Sequence, residues 1–319
     1  MAGQLGPEPN HRRGPLKEKP IIVSGDIENS ARATRATITF LADGSCVNRR
    51  FVGPGFEVNT GEYVAHEVTV RDARAIRGHF TLDSHGFVLL EHRSAVADFF
   101  DSAQVDALYA DEVVAAIRAH TGADRVAPLG WMIRTSGDPG RYARQTANYA
   151  HQGGVQPPAG EAHVDSSPDR ADALARALYE RLFPGLKPYR RFLYTSFWRA
   201  FSPGPQDYPL ALCDGRTVGD EEGTTNTLHV VDRLPTREEM LQPMPEESSK
   251  PAAAIFRYNP AWRWWYFSNM TRAEALLFKF HDSRRRRPWR VPHTAFQDGS
   301  LSGTRIRESI EFRSVAYFL

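Results

Sequence analysis

Gly160-Glu161-Ala162-His163-Val164-Asp165-Ser166-Ser167-Pro168 sets an imidazole and a carboxylate two residues apart, just ahead of a helix start. Neighbouring side chains on a β-strand point to opposite sides, so His163 and Asp165 share a face when this segment is extended, and two groups on one face can ligate one metal ion. Ser167 suits a helix cap with Pro168 in the first turn, and Leu174, Leu178 and Leu182 then recur every fourth residue until Pro184 stops the helix. The stretch therefore reads as strand, ligand pair, helix.

His-x-Asp arises often by chance and needs a third ligand. A non-haem Fe(II) oxygenase site uses two imidazoles and one carboxylate on one face of an octahedron, with the remaining positions open. Two downstream histidines compete, His229 in Thr227-Leu228-His229-Val230-Val231 and His293 in Val291-Pro292-His293-Thr294-Ala295-Phe296. A cosubstrate carboxylate beside the iron calls for a buried cation, and arginine offers a two-pronged fork that lysine lacks. Arg307-Glu308-Ser309 follows His293 and would aim a guanidinium and a hydroxyl to one side, whereas His229 is followed by Arg233 and a Leu234-Pro235 strand exit. That selects His293 and leaves His229 as a partly buried histidine. Between Arg305 and Arg313 the odd positions are all polar, so Glu311 and Arg313 are expected to form a structural ion pair.

Working outward, residues 1–19 are charged and broken by Pro7, Pro9, Gly14 and Pro15, which reads as a disordered arm. Residues 20–130 form an N-terminal β/α elaboration: strands over Ala36–Leu41 and Glu62–Val70 around an Asp43-Gly44 turn, a short strand at Phe87–Leu90, then a helix over Ala103–His120. Residues 131–319 form the core, with a long Gly- and Pro-rich loop at 137–160 that suits a lid, and strands over Arg191–Phe201, Leu210–Cys213, Thr225–Val231 and Ala252–Tyr258. Thr271-Arg272-Ala273-Glu274 has the form of a capping box and predicts a short helix to about Phe280. The aromatic cluster from Trp262 to Phe267 reads as core packing, and Arg284–Arg287 as a solvated loop. The fold class is mainly β with flanking helices.

Forty basic against 38 acidic side chains leave a formal charge of +2, too little for a broad nucleic-acid-binding face. Cys46 and Cys213 make no CxxC unit, so neither a disulfide framework nor a thiolate zinc site is implied, and a reducing cytoplasmic setting is expected. No stretch reaches the roughly 20 apolar residues of a spanning helix.

The markers His163-Val164-Asp165, Phe197-Trp198-Arg199, Pro209 through Asp214, Tyr258-Asn259-Pro260, Trp265-Tyr266-Phe267, Asp282-Ser283, Pro292 through Phe296 and Arg307 through Arg313 occur in order. With them the chain from about Gly160 onward resembles the AsaB-like hydroxylase/desaturase family, which includes gibberellin desaturases and a cephamycin methoxylase component. The resemblance implies a double-stranded β-helix, a cupin-like jelly roll, with iron in its mouth, 2-oxoglutarate as cosubstrate and dioxygen as oxidant. It implies His163, Asp165 and His293 as metal ligands and Arg307 with Ser309 as the clamp for the far carboxylate of 2-oxoglutarate. Arg199, Trp198 and Tyr194 are further pocket candidates, each with a packing or ion-pair alternative. The expected activity is oxidation of a small natural-product-type substrate by hydroxylation, desaturation or cyclisation, with a homodimer or a partner biosynthetic enzyme as possible company. Two rivals remain at this stage: an iron oxidase that dispenses with 2-oxoglutarate, and a catalytically silent jelly-roll subunit.

Overall fold

The structure is a computed structural model that describes residues 24–53, 56–138, 155–247, 250–285 and 288–319. The arm at 1–19 and most of the 137–160 loop lie outside the described residues. Met1–Ser30 forms one unit, represented by the helix Ser24–Asn29, and Ala31–Leu319 forms the other.

The described residues of the second unit form fifteen strands in two sheets. In chain order they are β1 (Ala33–Leu41), β2 (Arg49–Gly53), β3 (Phe56–Asn59), β4 (Tyr63–Asp72), β5 (Phe87–Glu91), β6 (Arg125–Thr135), β7 (His163–Val164) and β8 (Arg191–Ala200). They continue with β9 (Leu210–Cys213), β10 (Thr224–Val230), β11 (Ala252–Ile255), β12 (Trp264–Tyr266), β13 (Glu274–Asp282), β14 (His293–Ala295) and β15 (Glu308–Phe318). The large sheet has the order β1-β4-β12-β9-β14-β7-β11-β10-β2-β3, and the small one β5-β13-β8-β15-β6. This is the jelly roll anticipated from sequence.

Alternation along the small sheet decides which side chains enter the interior. On β8, Tyr194 and Trp198 belong to the core between the sheets, while Leu193 and Phe197 belong to a second core on the outer face. On β15 the odd-numbered Val315 and Tyr317 point inward and the even-numbered Ile310 and Phe312 outward. The outer core is closed by the helix Ala110–Thr121, which follows a turn of wider helix at Val105–Tyr109 and buries Val113 and Ile117. The helix Pro168–Leu182 buries Ala171, Ala175, Leu178 and Tyr179, and the Tyr317 hydroxyl donates to the Ala175 carbonyl at 2.8 Å.

One expectation is corrected. The helix expected after Thr271 is strand β13, all of whose residues are buried. The local signal is real: the Thr271 N–H donates to the Glu274 carboxylate at 2.9 Å and the Glu274 N–H to the Thr271 carbonyl at 3.0 Å. It closes a turn, and the apolar run beyond it lies between β5 and β8 with both faces covered, so it lacks a periodicity of 3.6. A complete capping box does occur at Thr236 and Glu239, starting the helix Arg237–Leu241. β6 runs through residue 130, and β2, β4 and β5 pair with β10, β12 and β13.

Candidate metal centre

His163 and His293 are direct cross-strand partners, paired between the antiparallel strands β7 and β14. Opposed residues on such a pair project to the same face, and the two rings lie 4.4 Å apart between centroids. His163 Nδ1 meets the Glu161 carbonyl at 2.8 Å and His293 Nδ1 meets the Val291 carbonyl at 3.1 Å. A carbonyl only accepts, so each Nδ1 carries the proton and each Nε2 keeps its lone pair. Burial, followed by the neighbouring His293, pushes the His163 imidazole down, so it is neutral.

Asp165 completes the group. Its Oδ1 lies 3.9 Å from His163 Nε2 and its Oδ2 lies 3.4 Å from His293 Nε2, with the three donor atoms within 4.8 Å of one another. Oδ2 is buried and has no hydrogen-bond partner among the described residues. Two imidazole nitrogens and a carboxylate oxygen converging on one point are the donor set that a divalent iron takes, and the residues fit it.

Beside the cluster lies a narrow recess lined by His163, His293, Trp198, Phe278, Arg134, Arg307 and Glu311 among others. Arg307 is 1% exposed, its Nη1 donates to the Tyr208 carbonyl at 3.0 Å, and its Nε has no partner. Burial, with the Arg134 cation nearby, pushes its guanidinium down, so an arriving anion is favoured. The Ser309 hydroxyl is buried on the same strand face and donates to the Arg134 carbonyl at 3.4 Å. On the Asp165 side is a second cavity of about 450 Å³, to which Tyr194 contributes.

The structure thus brings together His163, Asp165, His293, Arg307, Trp198 and Tyr194, while Ser309 lines neither cavity and bonds the Arg134 carbonyl. It places Arg199 elsewhere: this odd-numbered residue faces the outer core, where it donates to the carbonyls of His92 and Arg272 and to Tyr109. His229 stays apart from the cluster, 2.9 Å from the Thr227 hydroxyl and stacked on Phe51. Trp264 and Trp265 are core, as expected. Arg284 and Arg285 are exposed, and the other two arginines of that run lie outside the described residues. The Glu311–Arg313 ion pair is present. What sequence reasoning missed is that Arg313 also bonds Asp165, and that Arg134 of β6 reaches both cavities. The one available signal for Arg134 was a cation directly after the buried Trp131-Met132-Ile133 run.

Fold and site together define a jelly roll carrying a two-histidine, one-carboxylate cluster. Residues 41–317 match the family described as "Oxidoreductase/YMDC permease-like domain", and the chain belongs to that family. Among its relatives, the hydroxylase/desaturase CTB9 of Cercospora beticola is 31% identical over 244 residues, 74% of this chain and 71% of that protein. The Fe(II)/2-oxoglutarate-dependent dioxygenase nvfI of Aspergillus novofumigatus is 28% identical over 272 residues, 83% of this chain and 87% of its own. A solved structure of the iron and alpha-ketoglutarate-dependent endoperoxidase NvfI superposes with a TM-score of 0.69 at 23% identity, covering 90% of this chain and 98% of that one. The hydroxylase/desaturase resemblance read from sequence is borne out.

Proposed function

We propose that this chain is an Fe(II)/2-oxoglutarate-dependent dioxygenase acting on a small natural-product-type substrate, with His163, Asp165 and His293 as the iron ligands. The observation that carries the ligand assignment is the convergence of His163 Nε2, His293 Nε2 and the Asp165 carboxylate. Bound iron, with 2-oxoglutarate and dioxygen, supplies the oxidising equivalents for hydroxylation, desaturation or oxidative cyclisation at an unactivated carbon.

The chain's own residues bind and orient. Arg307, with no carboxylate partner among the described residues, receives the far carboxylate of 2-oxoglutarate, and the Ser309 hydroxyl on the same strand face assists it. Trp198, whose ring lies 5.7 Å from the Arg307 guanidinium carbon, and Phe278 exclude water from the recess, which strengthens that ion pair. The Glu161 and Val291 carbonyls lock the tautomers that turn both Nε2 atoms to the metal. Tyr194, its hydroxyl pushed up to about 12 by burial, stays protonated on the substrate side. Two free cysteines, Cys46 exposed and Cys213 buried, support a cytoplasmic setting, and a homodimer or a partner biosynthetic enzyme belongs to the same proposal. No described helix is long and apolar enough to cross a membrane.

The test is an anaerobic titration with Fe(II) and then 2-oxoglutarate, followed by a succinate assay on admitting oxygen. A weak visible charge-transfer band and succinate are expected, both lost in His163→Ala. Absence of the band in folded, iron-loaded protein would sink the reading.

A further inference from the structure

The cavity on the Asp165 side has apolar walls, and its charged groups are four arginines against one carboxylate, with Ser166, Tyr194 and Asn226 as the neutral polar lining. Leu129, Leu174, Leu228 and Pro251 supply the walls; the arginines are Arg50, Arg134, Arg170 and Arg313. Asp165 is the one lining carboxylate among the described residues. Arg313 already serves Asp165 and Glu311, and Arg50 pairs with Glu57 at 2.8 Å. Arg134 donates to the Pro157 carbonyl at 2.8 Å and forms no ion pair among the described residues. Arg170 makes neither an ion pair nor a hydrogen bond among them.

Arg170 thus has no ion-pair partner among the described residues and Arg134 feels only the longer-range pull of Glu311 and Asp165, so both guanidinium groups can receive an anion that enters this largely apolar space. Arg170 is not there for its helix: it lies in the first turn of Pro168–Leu182, at the positive end of the helix dipole, where a cation is disfavoured and an anion favoured. Burial pushes Arg134 below its usual value against the pull of Glu311 and Asp165, and an anion in the cavity would oppose that push further. Iron at Asp165 would make the cavity more positive still.

We infer that the cavity takes a carboxylate-bearing substrate, its acid group held by Arg170 with Arg134 and its apolar body lying against Leu129, Leu174 and Leu228 on the Asp165 side of the metal centre. This names the substrate class of the dioxygenase site and rests on that reading. Arg134, which also lines the Arg307 recess, would then stand between two acids, cosubstrate on one side and substrate on the other. Neutral analogues of the substrate should be discriminated against at binding.

The test uses 4-(1-naphthyl)butanoate and its primary amide, which share their shape and differ in head-group charge. Each is titrated calorimetrically into the full, metal-free chain. The carboxylate should bind about tenfold more tightly or better. Arg170→Gln should bring its Kd to that of the amide while leaving amide binding unchanged, which also shows that the variant is folded. Excess 2-oxoglutarate should leave the carboxylate in place. Equal affinities, no effect of Arg170→Gln, or displacement by 2-oxoglutarate, which would put the probe on Arg307, overturns the inference. A preference for the carboxylate in a protein that gives no visible band with Fe(II) and 2-oxoglutarate upholds the anion site and sinks the dioxygenase reading. A band with no such preference sinks the substrate class alone.

Discussion

Arg313 on β15 donates from Nη2 to Oδ1 of Asp165 at 2.8 Å, tying the small sheet to the segment that follows β7 in the large one. The same guanidinium holds Glu311, while Oδ2 of Asp165 has no hydrogen-bond partner among the described residues. One carboxylate oxygen is anchored and the other is offered. Burial pushes the Asp165 carboxyl up, but Arg313, with His293 and His163, outweighs it and holds the group well below the usual carboxylate range. Asp165 is therefore ionised in the metal-free protein.

Removing the anchor should loosen the metal. Arg313→Met frees Asp165 to turn away from the two Nε2 atoms, and loss of such a supporting partner costs about 10–100-fold in metal affinity. The expected outcome is a rise of that size in the Fe(II) Kd, read by anaerobic titration, with the circular dichroism of the folded protein retained. An unchanged Kd would show that the Asp165 position does not depend on Arg313.

Arg307→Lys separates cosubstrate from metal. A point charge replaces a fork in a buried recess, and losing one charge-assisted hydrogen bond of about 1.5–3 kcal/mol corresponds to roughly 10–100-fold. The KM for 2-oxoglutarate should rise by that factor while Fe(II) affinity stays constant. If the KM does not move, the clamp lies elsewhere; Arg305, which the structure leaves exposed, is then excluded by position, and Arg134 becomes the test case.

Arg199 gives the contrasting case. It is completely buried but on the outer face of β8, where its guanidinium serves the carbonyls of His92 and Arg272 and lies 5.7 Å from the ring centres of Phe99 and Tyr109. Arg199→Met leaves those carbonyls unsatisfied, at about 1–3 kcal/mol for each buried group. Chemical denaturation should show a loss of that order, with the 2-oxoglutarate KM unchanged. A raised KM at unchanged stability would place Arg199 in the site after all.

These contrasts mark how far the sequence reaches. The spacing of His163 and Asp165 needs only strand geometry, and the Arg307-x-Ser309 pattern picks His293 from two candidates without knowledge of register. That His163 and His293 are opposed partners depends on the crossover order of the large sheet, which no local pattern encodes. Arg199 and Trp198 are adjacent and equally buried, so deciding which one enters the site requires knowing which face of β8 looks inward. β13 was misread because a turn and a helix start share the same side-chain bond, and burial on both faces erases the alternation that would separate them.

Acid should find a weak point far from the metal. Arg49, 6% exposed at its side chain, donates from Nε and Nη2 to the two Glu247 oxygens at 2.6 Å each, and from Nη1 to the carbonyls of Met240 and Gln242. Glu247 also accepts from the Thr227 hydroxyl at 2.9 Å. The Arg49 hydrogen bonds, working against burial and helped by Thr227, bring Glu247 down to about 2, against about 4.3 in an unfolded chain. A folded-state value below the unfolded one means that the stabilisation is fully present above the unfolded pKa and disappears as pH falls towards the folded one. Thermal unfolding across a pH series should therefore show the wild type more stable than Glu247→Gln at neutral pH. The gap should narrow from about pH 4.5 downward and close only below about pH 2, where the wild-type carboxyl is protonated too. A gap of constant width across that range would mean that the Arg49 pair contributes nothing through its charge.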